Sequence, residues 1–105
     1  MIDTWHVSRD TENTIKSFRH KGLKRMFENG QARLVNPSLR SRVENILAVL
    51  DASPSALDLA TPGNRLHELT GDQAGVWSVA VSGNWRIVFR FTDGNAYDVD
   101  LVDYH

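Results

Sequence analysis

An acid, a phenol and an imidazole stand side by side at Asp103-Tyr104-His105, the last three residues of the sequence; a second imidazole lies at His67 and an arginine at Arg86. These are side-chain types that can cut RNA without a metal. RNA carries its own nucleophile in the 2′-hydroxyl, so cleavage needs a base to activate it, a cation for the phosphorane charge and an acid for the leaving 5′-oxygen. Histidine changes protonation near neutral pH and can take either proton-transfer role. Arginine holds two phosphate oxygens in a planar fork and does not deprotonate. Each residue also has a plainer reading: His67 as a half-buried strand histidine, His105 as a frayed end, Arg86 as a cross-strand partner of Asp100. No His-Glu-x-x-His spacing is present, so neither a metal nor another cofactor is expected.

The elements that must position these residues belong to a short chain. At 105 residues with 41% hydrophobic content, it suits one domain with one small core. The absence of cysteine excludes disulfides, thiol catalysis and cysteine-based zinc sites. The sequence has neither an apolar run near the ~18 residues of a membrane span nor a secretory leader at Met1-Ile2-Asp3-Thr4-Trp5-His6, which predicts a soluble, cytoplasmic protein. The net charge of −1 conceals an uneven distribution. Between Lys16 and Arg42 lie eight lysines and arginines against Glu28 alone, a local balance of +7. Such a stretch can hold a polyanion, or be the solvated face of two helices.

Residues 1–14 show no apolar periodicity and read as an extension, with a domain at 15–105. Ile15-Lys16-Ser17-Phe18 alternates as a short strand; Leu23, Met26 and Phe27 follow at helical spacing, and Gly30 stops that helix. Asn36-Pro37 opens a second helix with Leu39, Val43, Ile46, Leu47 and Leu50 on one face. Residues 53–63 form a connection with a turn of helix around Ala56–Leu59. Alternation then predicts three strands in a meander, around Trp77–Val81, Trp85–Phe91 and Tyr97–Leu101. The expected fold class is α+β, with two N-terminal helices packed on one face of a small antiparallel sheet and the other face partly open.

Register follows from parity, because a slip of one residue moves every apolar side chain to the wrong face. Three-residue loops at Ser82-Gly83-Asn84 and Asp93-Gly94-Asn95 would pair Val81 with Trp85, Val79 with Ile87, Phe91 with Tyr97 and Phe89 with Val99. They would also set Arg90 opposite Asp98, with Arg86 diagonal to Asp100 and Tyr104 on the open face. A strictly extended tail puts Asp103 and His105 on the other face, so the last strand is expected to end near Val102 and the tail to turn over the sheet edge.

Four ordered blocks carry a family resemblance: Ile15-Lys16-Ser17-Phe18-Arg19-His20-Lys21-Gly22-Leu23; Leu66-His67 with Gly71-Asp72 and Gly75-Val76-Trp77-Ser78; Gly83-Asn84-Trp85-Arg86-Ile87; and Asp103-Tyr104-His105. In these the chain resembles the HigB branch of the RelE/ParE-like toxins, from about Ile15 to His105. The resemblance implies a ribosome-dependent mRNA interferase of a type II toxin–antitoxin pair, neutralised by a HigA-type helix-turn-helix antitoxin and reaching operator DNA only through it. It also implies a catalytic set of His67, Arg86, Asp103, Tyr104 and His105. Asp103 would orient a histidine or hold its charge, and Tyr104 would stack on a base or donate to a phosphate oxygen. Arg19, His20, Lys21, Lys24 and Arg25 become candidates for gripping ribosomal RNA, although a helix with its charges opposite Leu23, Met26 and Phe27 carries such a face in any case. Many relatives place a lysine between the histidine and Gly-Asp, where this chain has Glu68-Leu69-Thr70. Two other readings use the same scaffold: a ParE-like inhibitor of a protein such as a topoisomerase, and a weakly active toxin serving as co-repressor with its antitoxin.

Overall fold

The computed structural model describes residues 14–73 and 75–103, and these form a four-stranded antiparallel sheet with two helices, an α+β architecture. Helix α1 spans Lys21–Asn29, and His20 caps its start by accepting the Leu23 N–H at Nδ1, 3.1 Å away. Gly22 permits that arrangement: a Cβ there would stand 2.8 Å from His20 Cε1 and 2.9 Å from Leu34 Cβ. Gly30, in the left-handed region at φ 74, ends the helix and returns its N–H to Met26. Asn36 accepts from Ser38 N–H at 3.0 Å, and Pro37 begins a short 3-10 turn that feeds helix α2, Arg40–Asp51. Leu39, Val43, Ile46, Leu47 and Leu50 are all buried, as their spacing requires. A 3-10 turn at Ala56–Leu59 interrupts the connection that follows.

Strands β1 (His67–Glu68), β2 (Val76–Ser82), β3 (Trp85–Thr92) and β4 (Asn95–Asp103) lie in sequence order. The sequence predicts three of them. The fourth, β1, pairs His67 with Ser78 and Glu68 with Trp77, and two residues are too few to show a period. Val79, Val81, Ile87, Phe89, Val99 and Leu101 share one buried cluster with Leu23, Met26 and the apolar face of α2. Residues 14–20 do not make a regular strand. They bridge β4 in parallel through Ile15 with Ala96 and Phe18 with Val99, covering an edge that would otherwise expose its N–H and C=O groups. Thr14 belongs with the folded part rather than with the extension, being buried with its hydroxyl donating to the Ser53 carbonyl at 3.1 Å.

Both hairpins correct the expected loops. Asp93 and Gly94, at φ 52 and 79, form a two-residue turn that pairs Thr92 with Asn95, Phe91 with Ala96 and Arg90 with Tyr97. The predicted partners Phe91–Tyr97 and Arg90–Asp98 are therefore not opposite one another. Parity is recovered by a register shift between Val88 and Arg90, where Asp98 takes φ 55. Beyond it Ile87 faces Leu101, Arg86 faces Val102, and Phe89 and Val99 are both buried. The other hairpin behaves alike: Trp85 pairs with Ser82 rather than Val81, and a shift between Ala80 and Ser82 restores Val79 opposite Ile87. Turn chemistry sets the hairpin ends, and burial sets the register of the strand centres.

Candidate active site

The open sheet face gathers His67, Ser78 and Arg86 around one backbone carbonyl, that of Arg65. The preceding residues anchor it. Arg42 on α2 donates through Nη2 to Asn64 Oδ1 at 2.7 Å, to the Ala80 carbonyl at 3.1 Å and to the Gly63 carbonyl at 3.2 Å. Asn64 is buried, donates from Nδ2 to the Leu59 carbonyl at 2.8 Å, and accepts the Ala80 N–H on its own carbonyl at 2.7 Å. Arg65 then adopts φ 50, a strained conformation for a side chain of its size, and such strain concentrates at functional sites.

The Arg65 carbonyl meets two groups, Arg86 Nη2 at 3.3 Å and His67 Nδ1 at 3.2 Å. A carbonyl only accepts, so Nδ1 of His67 carries the proton and Nε2 keeps its lone pair when the ring is neutral. Arg86 Nε donates to the hydroxyl of Ser78, a residue with no exposed surface that lies directly opposite His67 in the ladder. Residues directly opposite share a sheet face, so His67, Ser78 and Arg86 stand on the same side. Of the five N–H donors of a guanidinium, two are used here and three remain for a ligand. Among the described residues Arg86 bonds to Ser78 and Arg65, not to Asp100, although Asp100 is its diagonal neighbour as expected. His67 is exposed rather than half-buried, and Arg86 is half-buried.

The other predicted site residues separate into groups. Strand β4 spans Asn95–Asp103, one residue beyond the expected end near Val102, and pairs Asp103 with Trp85. Strand alternation thus puts Asp103 on the face away from Arg86. Tyr104 and His105 lie outside the described residues. Of the basic set, Arg19 borders a cleft on the open face, His20 serves as the α1 cap, and Lys21, Lys24 and Arg25 are exposed on α1. Arg40 and Arg42 turn inward to backbone carbonyls, so the basic stretch is in part scaffold.

Glu68, which adds an anion near the histidine, is engaged elsewhere. Its Oε2 accepts the Gly75 N–H at 2.9 Å and closes the loop between β1 and β2, and it pairs with Trp77 on the face opposite His67. Sequence reasoning missed Arg65 and Ser78. Ser78 did carry a signal, as the only polar residue between Val76 and Val81.

Arg42→Ala is expected to destabilise the fold by about 1.5–3 kcal/mol, the range for hydrogen bonds to a charged donor. Thermal unfolding measures it. An unchanged melting temperature would contradict the anchoring of residues 63–65 by α2.

Comparison with known proteins adds to this geometry. Residues 16–105 match the family described as RelE-like toxin of type II toxin-antitoxin system HigB. The chain is 42% identical over 91 residues, 87% of its length, to Endoribonuclease HigB of Proteus vulgaris, covering 99% of that protein. It is 33% identical over 86 residues, 80% of its length, to Toxin HigB-1 of Vibrio cholerae, covering 90% of that one.

Proposed function

Since this chain belongs to the RelE-like HigB toxins of type II toxin–antitoxin systems, we propose that it is a metal-independent RNA endonuclease that cuts messenger RNA on the translating ribosome. The observation that carries this reading is the convergence of His67 and Arg86 on the Arg65 carbonyl at the open sheet face. Its relative named an endoribonuclease supplies the reaction class. The two helices cover one face of the sheet and leave the other to the RNA strand.

In the proposed reaction the 2′-oxygen bonds to phosphorus as its proton passes to one imidazole. The bond from phosphorus to the 5′-oxygen breaks, and the second imidazole protonates that oxygen. His67 takes one of these roles and His105 the other. Arg86 holds the non-bridging oxygens with its three remaining N–H donors while charge accumulates on them. Asp103 orients the terminal imidazole, and Tyr104 stacks on a base or donates to a phosphate oxygen. Lys21, Lys24 and Arg25, with His20, dock on ribosomal phosphates, while Arg19 borders the cleft on the open sheet face. A helix-turn-helix antitoxin silences the toxin and carries it to operator DNA. The chain acts in the cytoplasm, and among the described residues no helix is long and apolar enough to cross a membrane.

Primer extension on mRNA after induction tests the reading. The wild type should give cuts within translated regions, and His105→Ala should lower their yield by about 10²-fold or more. Growth arrest with intact mRNA and damaged DNA would contradict it and favour a topoisomerase inhibitor.

A further inference from the structure

On the open face that carries Arg86 lies a cleft of about 340 Å³ bordered by Arg19, Arg90, Asp98 and Asp100, with Val88 and Val102, the ladder partner of Arg86, among its apolar walls. We propose that this cleft is a base-recognition subsite that receives a nucleotide flanking the scissile one and favours bases bearing an exocyclic amino group. The inference rests on the RNA-cleaving reading and adds a specificity determinant to it.

Charge is the first argument. Two arginines and two aspartates leave the cleft formally neutral, which suits a hydrogen-bonding base better than another phosphate. Availability is the second. Among the described residues neither arginine reaches an aspartate within ion-pair distance, and the Asp100 Oδ1 bond goes only to the Leu101 N–H at 2.9 Å. Arg90 lies over the loop that closes the cleft, its Nη1 3.7 Å from where a Cβ on Gly75 would stand, and its planar guanidinium can stack on a base. Position is the third. Arg90 follows Arg86 by four residues on β3, about 13 Å at strand rise, so the two arginines address neighbouring nucleotides rather than one phosphate.

Carboxylates accept and do not donate. Cytosine offers its N4 amino group and adenine its N6, whereas uracil presents carbonyls at the corresponding edge. Asp98 and Asp100 therefore select against uridine. The β-bulge matters here, since it places Asp98 at φ 55 in the wall of the cleft.

The test uses the full chain carrying Asp98→Asn and Asp100→Asn together. Asparagine tolerates the left-handed backbone at Asp98 and keeps an acceptor for Leu101, while replacing a pure acceptor with a partial donor. Nitrogen–proton NMR titrations with cytidine, adenosine and uridine monophosphates should move the amides of Val88, Arg90 and Asp98. Cytidine and adenosine should bind about tenfold tighter than uridine, and the double variant should lose that difference. Equal binding of all three, or shifts confined to His67 and Arg86, overturns the proposal. The cleavage reading fails separately. Cuts whose neighbouring-base preference is untouched by the double variant remove the subsite and leave the nuclease, whereas selective nucleotide binding by a chain that never cuts RNA does the reverse.

Discussion

His67→Ala is expected to lower the rate of RNA cleavage by about 10²–10⁴-fold, the usual contribution of a positioned acid or base, with little change in melting temperature. The two halves of this prediction come from the same geometry. His67 is exposed on a two-residue strand held by its backbone ladder to Ser78 and Trp77, so removing the ring opens no cavity in the core. The Arg65 carbonyl loses one donor but keeps Arg86 Nη2 at 3.3 Å. What disappears is an imidazole whose Nδ1 is fixed on a carbonyl and whose Nε2 is thereby the nitrogen available to the substrate. Single-turnover cleavage and thermal unfolding of the same preparation check both halves. A folded variant that cuts at the wild-type rate would remove His67 from the chemistry.

Arg86→Ala should lower cleavage by about 10²–10³-fold, the scale of removing one charge-stabilising donor from a transition state. It should also destabilise the protein by about 1–3 kcal/mol, because the fully buried Ser78 hydroxyl loses its partner. Arg86→Lys separates the two effects. An ammonium on a flexible stem cannot hold Ser78, the Arg65 carbonyl and a phosphate at once in the planar arrangement of a guanidinium. Stability should therefore recover in part while activity stays at least about tenfold down. Full rescue by lysine would mean that Arg86 acts as a point charge. No loss in either variant would place the phosphate elsewhere.

The helices could be read from the sequence because their signals are local. Asn36-Pro37 and five apolar residues at helical spacing specify α2, and Gly30 specifies the end of α1. The three long strands were legible by alternation, and family membership was legible in four blocks that the family match over residues 16–105 then spans, Ile15 excepted. The hairpin ends were not, since parity argues for three-residue loops while Asp93-Gly94 has the backbone freedom for two. The strand absorbs the difference at Asp98, where nothing in the pattern announces a bulge. Strand β1 is too short to have a period.

At the site, the residue types His67 and Arg86 could be named from the sequence, but what joins them could not. A backbone carbonyl at Arg65 has no signature in residue type, and the Arg42–Asn64 bonds that hold it link α2 to a loop more than twenty residues away. The face of Asp103 was legible by parity: strand β4 carries it opposite Trp85, on the side away from Arg86, as an extended chain requires.

Analysis of the ends left by cleavage is the most direct measurement, because the proposed chemistry uses the RNA's own 2′-hydroxyl. The fragments should carry a 2′,3′-cyclic phosphate or its 3′-phosphate product on one side and a 5′-hydroxyl on the other. A 5′-phosphate paired with an intact 2′,3′-diol would mean that water attacked phosphorus from outside the RNA, and would contradict the assignment of His67 and Arg86 to this reaction.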